Sequence, residues 1–236
     1  CDRRQRQMCI RDSCPTQTLV DAYEMKNGGE PNQKDPYTGR DPRFAMTIAV
    51  NGDKWPNTNP NPLEIYTGGR DAAPVPYATP TGYYVKKYVD GATDISASTS
   101  SGGKRHSWIT FRLGEFLLNY AEAMYELGTT GKALDDALNI SLNLVRLRVN
   151  PDMPKLTTSF ASENSLNMRE EIRRERTIEL YNEGFRVDDL KRWNTAIVEM
   201  PKPILGVKWT GTDFATSWAG ASNMAKDSDG CLILEN

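Results

Sequence analysis

Proline placement constrains this chain more than any other feature. Nine of the fourteen prolines fall between Lys26 and Lys104, in "NGGEPNQKDPYTGRDPRF", "NGDKWPNTNPNPLEIYTGGR" and "PVPYATPTGYY". A proline removes a backbone donor and clashes with the preceding helical turn, while Asn-Gly and Pro-x-Gly stretches favour turns. Long helices are therefore excluded from that region. Two short strands are expected there, "RFAMTIAV" and "GYYVKKYV", and "SASTSSGGK" reads as an exposed loop. Upstream, "PTQTLVDAYEM" reads as a short capped helix that turns Leu19, Val20, Tyr23 and Met25 inward.

From Trp108 the pattern becomes helical. In "WITFRLGEFLLNYAEAMYELG", Leu113, Leu117, Tyr120, Met124 and Leu127 recur at steps of three and four, which predicts one buried apolar face, and Gly128 supplies a stop. After the turn "TTG", "KALDDALNISLNLVRLRV" sets Ala137, Ile140, Leu144 and Leu147 at helical spacing. Two amphipathic helices joined by so short a turn pack antiparallel, and the small residues Ala121, Ala133 and Ala137 around Gly128 resemble a tetratricopeptide-type hairpin. A third helix runs through "SLNMREEIRRERTIELYNEGF", with Met168, Ile172, Leu180 and Tyr181 toward the core. Gly184 breaks it, and Asp188 or Asp189 is expected to cap a short helix "DLKRW". Beyond Thr195 the chain reads as irregular, ending in "DGCLILEN", a strand with no evident partner and the look of a truncation. The expected fold class is mainly α: a tetratricopeptide-like helical hairpin plus further helices, with a long irregular loop region and a few short strands. The expected organisation is a loop-rich segment over 15–107, a helical core over 108–195 and an irregular tail over 196–236.

Charge and residue usage exclude several kinds of chemistry. Twenty-nine Lys and Arg against 31 Asp and Glu give a net charge of −2, so no global field draws nucleic acid or anionic lipid. The one arginine-rich run, "REEIRRERTIEL", interleaves Arg169, Arg173, Arg174 and Arg176 with Glu170, Glu171, Glu175 and Glu179 at helical spacing, a self-neutralising face rather than a nucleic-acid-binding one. Cys1, Cys9, Cys14 and Cys231 fit neither zinc-ligand spacing nor a disulfide framework. The single histidine, His106, stands in the loop-like "SSGGKRHSW" and leaves no imidazole base for a nucleophile. "GTTGKA" lacks the spacing of a phosphate loop and reads as a helix turn. "KDSDGC" lacks the remaining ligands of a calcium loop and reads as an ordinary turn. No metal, no cofactor and no catalytic residue is expected. The longest apolar runs are only a few residues, far short of the roughly 20 that span a bilayer as a helix.

The aromatics are more informative. Trp55, Tyr66, Tyr77, Tyr83 and Tyr84 fall in the Pro/Gly/Asn-rich region, off any amphipathic helix. Flat rings with a polar rim suit stacking on sugar faces, with neighbouring Asn and Asp to bond hydroxyls; the alternative is that the rings pack the loops onto the helical core. Trp55, Tyr66, Tyr77 and Tyr83 are the candidate glycan-binding set.

Several stretches together resemble the C-terminal half of the SusD/RagB family of nutrient-binding outer-membrane lipoproteins. They are "PTQTLVDAYEMKNG", "PYTGRDPRF" with "AVNGDKW", and "TGYYVKKYV". To these add "ITFRLGEFLLNYAEAMYELG", with Arg112, Glu115, Tyr120, Ala121, Glu122 and Ala123 in the family pattern. "IRRERTIELYNEGFRVDDLKRW" carries the last block through Glu175, Arg176, Glu179, Leu180, Glu183, Gly184, Arg186, Asp189, Leu190, Arg192 and Trp193. The resemblance implies a helical protein whose loop face binds oligosaccharide without catalysis at the cell surface of the outer membrane and hands it to a TonB-dependent transporter. It implies no nucleic-acid partner, and membrane attachment only through a lipid anchor in an N-terminal half outside this sequence. It also implies a structural charge clamp between helices, drawn from Arg112, Glu115, Arg176, Glu179, Glu183 and Arg186. Two other classes stay open: a helical protein-interaction scaffold, and a carbohydrate hydrolase, whose paired carboxylates would need a spatial separation that sequence does not display. Residues 1–14, "CDRRQRQMCIRDSC", resemble a translated sequencing-adapter segment and are expected to be a non-native leader without function.

Overall fold

The computed structural model describes residues 14–26, 31–32, 35–56, 60–66, 68–72, 78–89, 91, 109–208 and 225–235. Tyr77, His106, the serine-rich loop and the first thirteen residues lie outside them. In chain order the elements are α1 (Gln17–Ala22), α2 (Pro42–Thr47), β1 (Ile48–Ala49), β2 (Tyr84–Val85), α3 (Leu113–Glu126), α4 (Gly131–Asn139) and α5 (Leu142–Val149). They continue as α6 (Thr158–Glu163), α7 (Met168–Glu179), α8 (Arg186–Arg192), α9 (Ala196–Glu199), β3 (Ile204–Lys208) and β4 (Cys231–Glu235). The protein is mainly α-helical, as the pattern after Trp108 predicts.

The proline-rich half is organised by local capping. Thr16 Oγ1 accepts from the Leu19 amide at 3.3 Å and starts α1. Val20 and Tyr23 point into the core, while Leu19 and Met25 are half-buried. "RFAMTIAV" is mostly helix rather than strand. Asp41 Oδ1 accepts from the Arg43 amide at 2.9 Å and Pro42 occupies the first turn, so α2 forms and only Ile48–Ala49 extends. An Asp-Pro pair is a helix start, and its local signal overrides the β-branched residues that follow it. The second expected strand shrinks to Tyr84–Val85, paired antiparallel with β1 through Ile48↔Val85 and Ala49↔Tyr84.

The helical hairpin forms, but it buries a different face from the one expected. In α3 the core residues are Gly114, Leu118, Ala121 and Glu122. Leu113, Tyr120 and Leu127 are 71%, 43% and 80% exposed. The helix carries apolar residues on two faces, and periodicity cannot say which one meets the rest of the chain. The face chosen is the one bearing the small residue Ala121, which lets neighbouring helices approach. The second helix is two helices. Ser141 Oγ donates to the Ala137 carbonyl at 2.6 Å and the chain breaks at Ile140–Ser141, so Leu134, Leu138, Leu142 and Val145 are buried while Ile140 and Leu144 face out. Ala133, expected to ease close packing, is exposed.

Helix α7 lies at the centre. It places Ile178 in one core with Val20, Tyr23, Phe44, Ile48, Tyr83, Val207 and Leu232. It places Ile172 in the other with Leu118, Leu138, Leu142, Val145, Leu156 and Leu180. Asn167 Oδ1 caps α7 by accepting from Arg169 at 3.0 Å. After its last turn, Asn182 (φ 61°) and Gly184 (φ 89°) take left-handed conformations that turn the chain into α8. No side chain caps α8; Asp189 bonds Arg176 instead, correcting the expected capping role. The described parts of the tail include a short helix and two strands. β4 pairs antiparallel with β3 through Lys208↔Cys231 and Leu205↔Ile233, so "CLILE" has a partner. The turn before it is built as "KDSDGC" suggests, with Asp227 Oδ1 accepting from Asp229 and Cys231. Among the described residues no helix is long and apolar enough to cross a membrane.

Candidate functional site

Three features of the surface and interior bear on function: a buried charge network, the loop face carrying Trp55, and a groove along α7 and α8.

The charge network ties α2, α3 and the C-terminal end of α7 together. Arg112, the residue before α3, donates through Nε to Glu183 Oε2 at 2.8 Å and through Nη1 to Glu179 Oε1 at 2.6 Å. Its Nη2 also donates to the Glu179 carbonyl at 2.8 Å, which satisfies one of the acceptors orphaned at the end of α7. A Cβ on Gly114 would lie 2.5 Å from Arg112 Nη1, so a side chain there would push the guanidinium out of this arrangement. Lys87 Nζ meets Glu183 Oε1 at 2.5 Å. Deeper, Arg43 pairs with Asp41 at 2.6 Å, Glu175 at 2.6 Å and Glu179 at 3.0 Å. Arg146 joins Glu175 at 3.0 Å to Glu24 at 2.5 Å.

Of the expected clamp, Arg112, Glu179 and Glu183 meet as one unit and the other three do not join them. Arg176 bonds Asp189 and Asn119, each at 2.8 Å, one turn away. Arg186 is exposed and has no ion pair among the described residues. Glu115 Oε2 is buried with no hydrogen-bond partner among the described residues. Arg43, Lys87 and Arg146 were missed. Arg43 meets Glu179 across 136 residues of sequence, and no periodicity connects them.

Burial pushes the Glu179 carboxyl up, but hydrogen bonding from Arg112 and the charges of Arg148 and Arg43 outweigh it and hold it below its ordinary value. Glu183 behaves likewise, burial opposed by Arg112 and Lys87, with a net lowering. Both carboxyls thus hold protons less tightly folded than unfolded, so their stabilisation is complete above the ordinary carboxylate range and is lost as pH falls through it. The melting temperature is expected to drop steadily from about pH 6 to about pH 3. A flat profile in differential scanning calorimetry would contradict this.

On the loop face the candidate aromatics part company. Trp55 is half-buried, packed on Ala49, Leu63 and Ile65, with Lys86 Nζ 5.7 Å from its ring centre. That ammonium is held by Asp53 Oδ2 at 2.8 Å and the Ala45 carbonyl at 2.9 Å. Asp53 also lines a hollow of about 380 Å³ with Tyr37, Thr38 and Phe44. Tyr66 is half-buried against the other core, and no ring contact among the described residues joins it to Trp55. Tyr83 is only 1% exposed, donates its hydroxyl proton to Gln17 Oε1 at 2.5 Å and meets the Tyr37 ring edge-on. It is a core residue, and its ring has no face free for a sugar. Tyr84 is half-buried, its hydroxyl donating to the Asp71 carbonyl at 2.7 Å.

A hollow of about 700 Å³ runs between α1 and the α7–α8 corner. Trp193 forms part of its wall, its indole N–H donating to Glu122 Oε1 at 2.6 Å. Arg173 and Arg192 lie 4.8 Å and 4.9 Å from the ring centre, Arg186 5.8 Å. Sequence reasoning had Trp193 only as a motif residue. Among the described residues no cluster of three or more His, Cys, Asp or Glu could hold a metal ion.

These features describe a mainly helical protein in which two hydrophobic cores are bridged by buried ion pairs and whose open surfaces offer aromatic and polar groups. The chain belongs to the SusD family, whose model matches residues 2–225. It shares its fold with a SusD-like carbohydrate binding protein from Bacteroides fragilis NCTC 9343, at 25% identity and a TM-score of 0.68, covering 94% of this chain and 43% of that one. A second SusD-like protein from the same organism matches at 29% identity and a TM-score of 0.64, over 82% of this chain and 38% of the other. The chain thus spans less than half the length of these relatives. No curated protein matches it.

Proposed function

We propose that this chain belongs to a noncatalytic oligosaccharide-capturing protein of the bacterial cell surface, one that passes its cargo to a TonB-dependent transporter in the outer membrane. The observation that carries this reading is the shared fold, over 94% of the chain, with a protein described as carbohydrate-binding. The loop face supplies suitable chemistry. Trp55 offers a flat apolar surface, and Asp53 links it to the neighbouring hollow through Lys86. Of the four aromatics expected to hold glycan, Trp55, Tyr66 and Tyr77 remain in the proposal, and Tyr83 does not.

Trp55→Ala is expected to weaken calorimetric binding of a neutral oligosaccharide about tenfold, or ~1.4 kcal/mol, with no change in product formation because none is catalysed. Unchanged affinity would remove Trp55 from the site. Release of shortened sugars from the bound oligosaccharide would replace capture by hydrolysis.

A further inference from the structure

The 700 Å³ groove between α1, α7 and α8 is not used by the loop-face reading, and its two walls differ sharply. Pro15, Leu19 and Ala22, in α1 and just before it, make one side apolar. The other carries arginines, and they are not equivalent. Arg176 bonds Asp189 and Asn119, and Arg174 is paired with Glu24 and Glu171. Arg173 is only loosely held: among the described residues its ion pair is to Glu170 at 3.5 Å, a carboxylate 65% exposed to water. Arg186 makes no ion pair among the described residues and donates to Thr177 Oγ1 at 2.9 Å.

These two guanidiniums form one patch. Thr177 sits one turn after Arg173 on α7, and its hydroxyl donates to the Arg173 carbonyl at 2.8 Å while accepting from Arg186. Both arginines also contact the Trp193 ring, whose orientation is fixed by Glu122. Stacking on the indole leaves the edges of a guanidinium, where its N–H groups point, available to a planar acceptor. The remaining acid on this wall, Glu199, is already paired with Lys202 at 2.7 Å. The residual charge suits one singly charged anion better than a phosphate dianion. The apolar wall opposite suits a ring face, and the volume lies within the range of small-ligand sites.

We propose that this groove is a binding site for a carboxylate-bearing saccharide, a hexuronate unit whose carboxylate is received by Arg173 and Arg186 while its ring lies against the apolar wall. The site differs from the Trp55 face in place and in ligand class, and it stands on the groove geometry whether or not the loop face binds glycan.

The test is calorimetric titration of the chain with trigalacturonate, with its fully methyl-esterified form and with glutarate as a non-sugar carboxylate. Trigalacturonate is expected to bind, with the ester and glutarate each at least tenfold weaker. Arg186→Ala and Arg173→Met are each expected to weaken trigalacturonate at least tenfold. Arg186 is exposed and outside the ion network, so that variant keeps its melting temperature and reports on binding alone. In a spectrum of the nitrogen-labelled tryptophans, the Trp193 indole signal is expected to shift with trigalacturonate. Equal binding of acid and ester, glutarate as tight as the sugar, no binding of trigalacturonate, or full affinity in Arg186→Ala would each overturn the proposal. Arg186→Ala should leave the affinity for a neutral oligosaccharide unchanged, which separates a failure here from a failure of the loop-face reading.

Discussion

Arg43→Ala is expected to lower folding stability by about 3–5 kcal/mol, the largest effect of any single charge removal in this protein. The reason is what the substitution leaves behind. Asp41, Glu175 and Glu179 are all at most 5% exposed, and Arg43 is an ion-pair partner of each. Arg146 still reaches Glu175, and Arg112 and Arg148 still reach Glu179, but Asp41 has no other ion pair among the described residues. Burial disfavours the Arg43 charge, yet Glu175 and Asp41 overcome that and hold it protonated. Chemical denaturation measures the loss, and Arg148→Ala is the comparison. Arg148 also pairs with Glu179, at 3.0 Å, but is 56% exposed, and its removal is expected to cost no more than about 1 kcal/mol. Equal losses in the two variants would show that burial of the network does not set its strength.

Leu118→Ala is expected to cost about 2–5 kcal/mol, through lost burial and the cavity it leaves. Leu118 is 0% exposed and packs with Leu134, Leu138, Leu142 and Ile172. On the opposite face of the same helix, Leu127 is 80% exposed, and Leu127→Ala should stay within about 0.5 kcal/mol of the parent. Thermal melts of the two variants decide the matter. The reverse order would make the stripe through Leu113 and Leu127 the buried one.

That pair of residues illustrates what could be read from the sequence and what could not. The existence of α3, its stop at Gly128 and its hairpin with the next helix all follow from local periodicity and the short turn. The buried face does not, because Leu113, Leu117 and Leu127 make as regular a stripe as Leu118 and Ala121. Only contact with α4 and α7 selects between them. Likewise, Ser141 interrupts the second helix without a proline or glycine to announce it. The loop aromatics divide in the same way. Tyr83 and Trp55 look alike in composition and neighbourhood, yet one is sealed beneath Tyr37 and Gln17 while the other is half-buried beside Lys86. Arg112, Glu179 and Glu183 stand in motif stretches, and their meeting is a contact between segments about 70 residues apart. Their reach to Arg43 and Lys87 depends on contacts that close loops of roughly a hundred residues.

The central position of α7 has a kinetic and cooperative consequence. Its Ile178 belongs to one core and its Ile172 to the other, and Glu175 and Glu179 between them are held by arginines from both sides. Neither core can open by itself without exposing a carboxylate or a cation that the other still needs. The amides of α7 should therefore exchange their protons only when both halves open together, and protection in α1 and in α4 should collapse at the same denaturant concentration as one event.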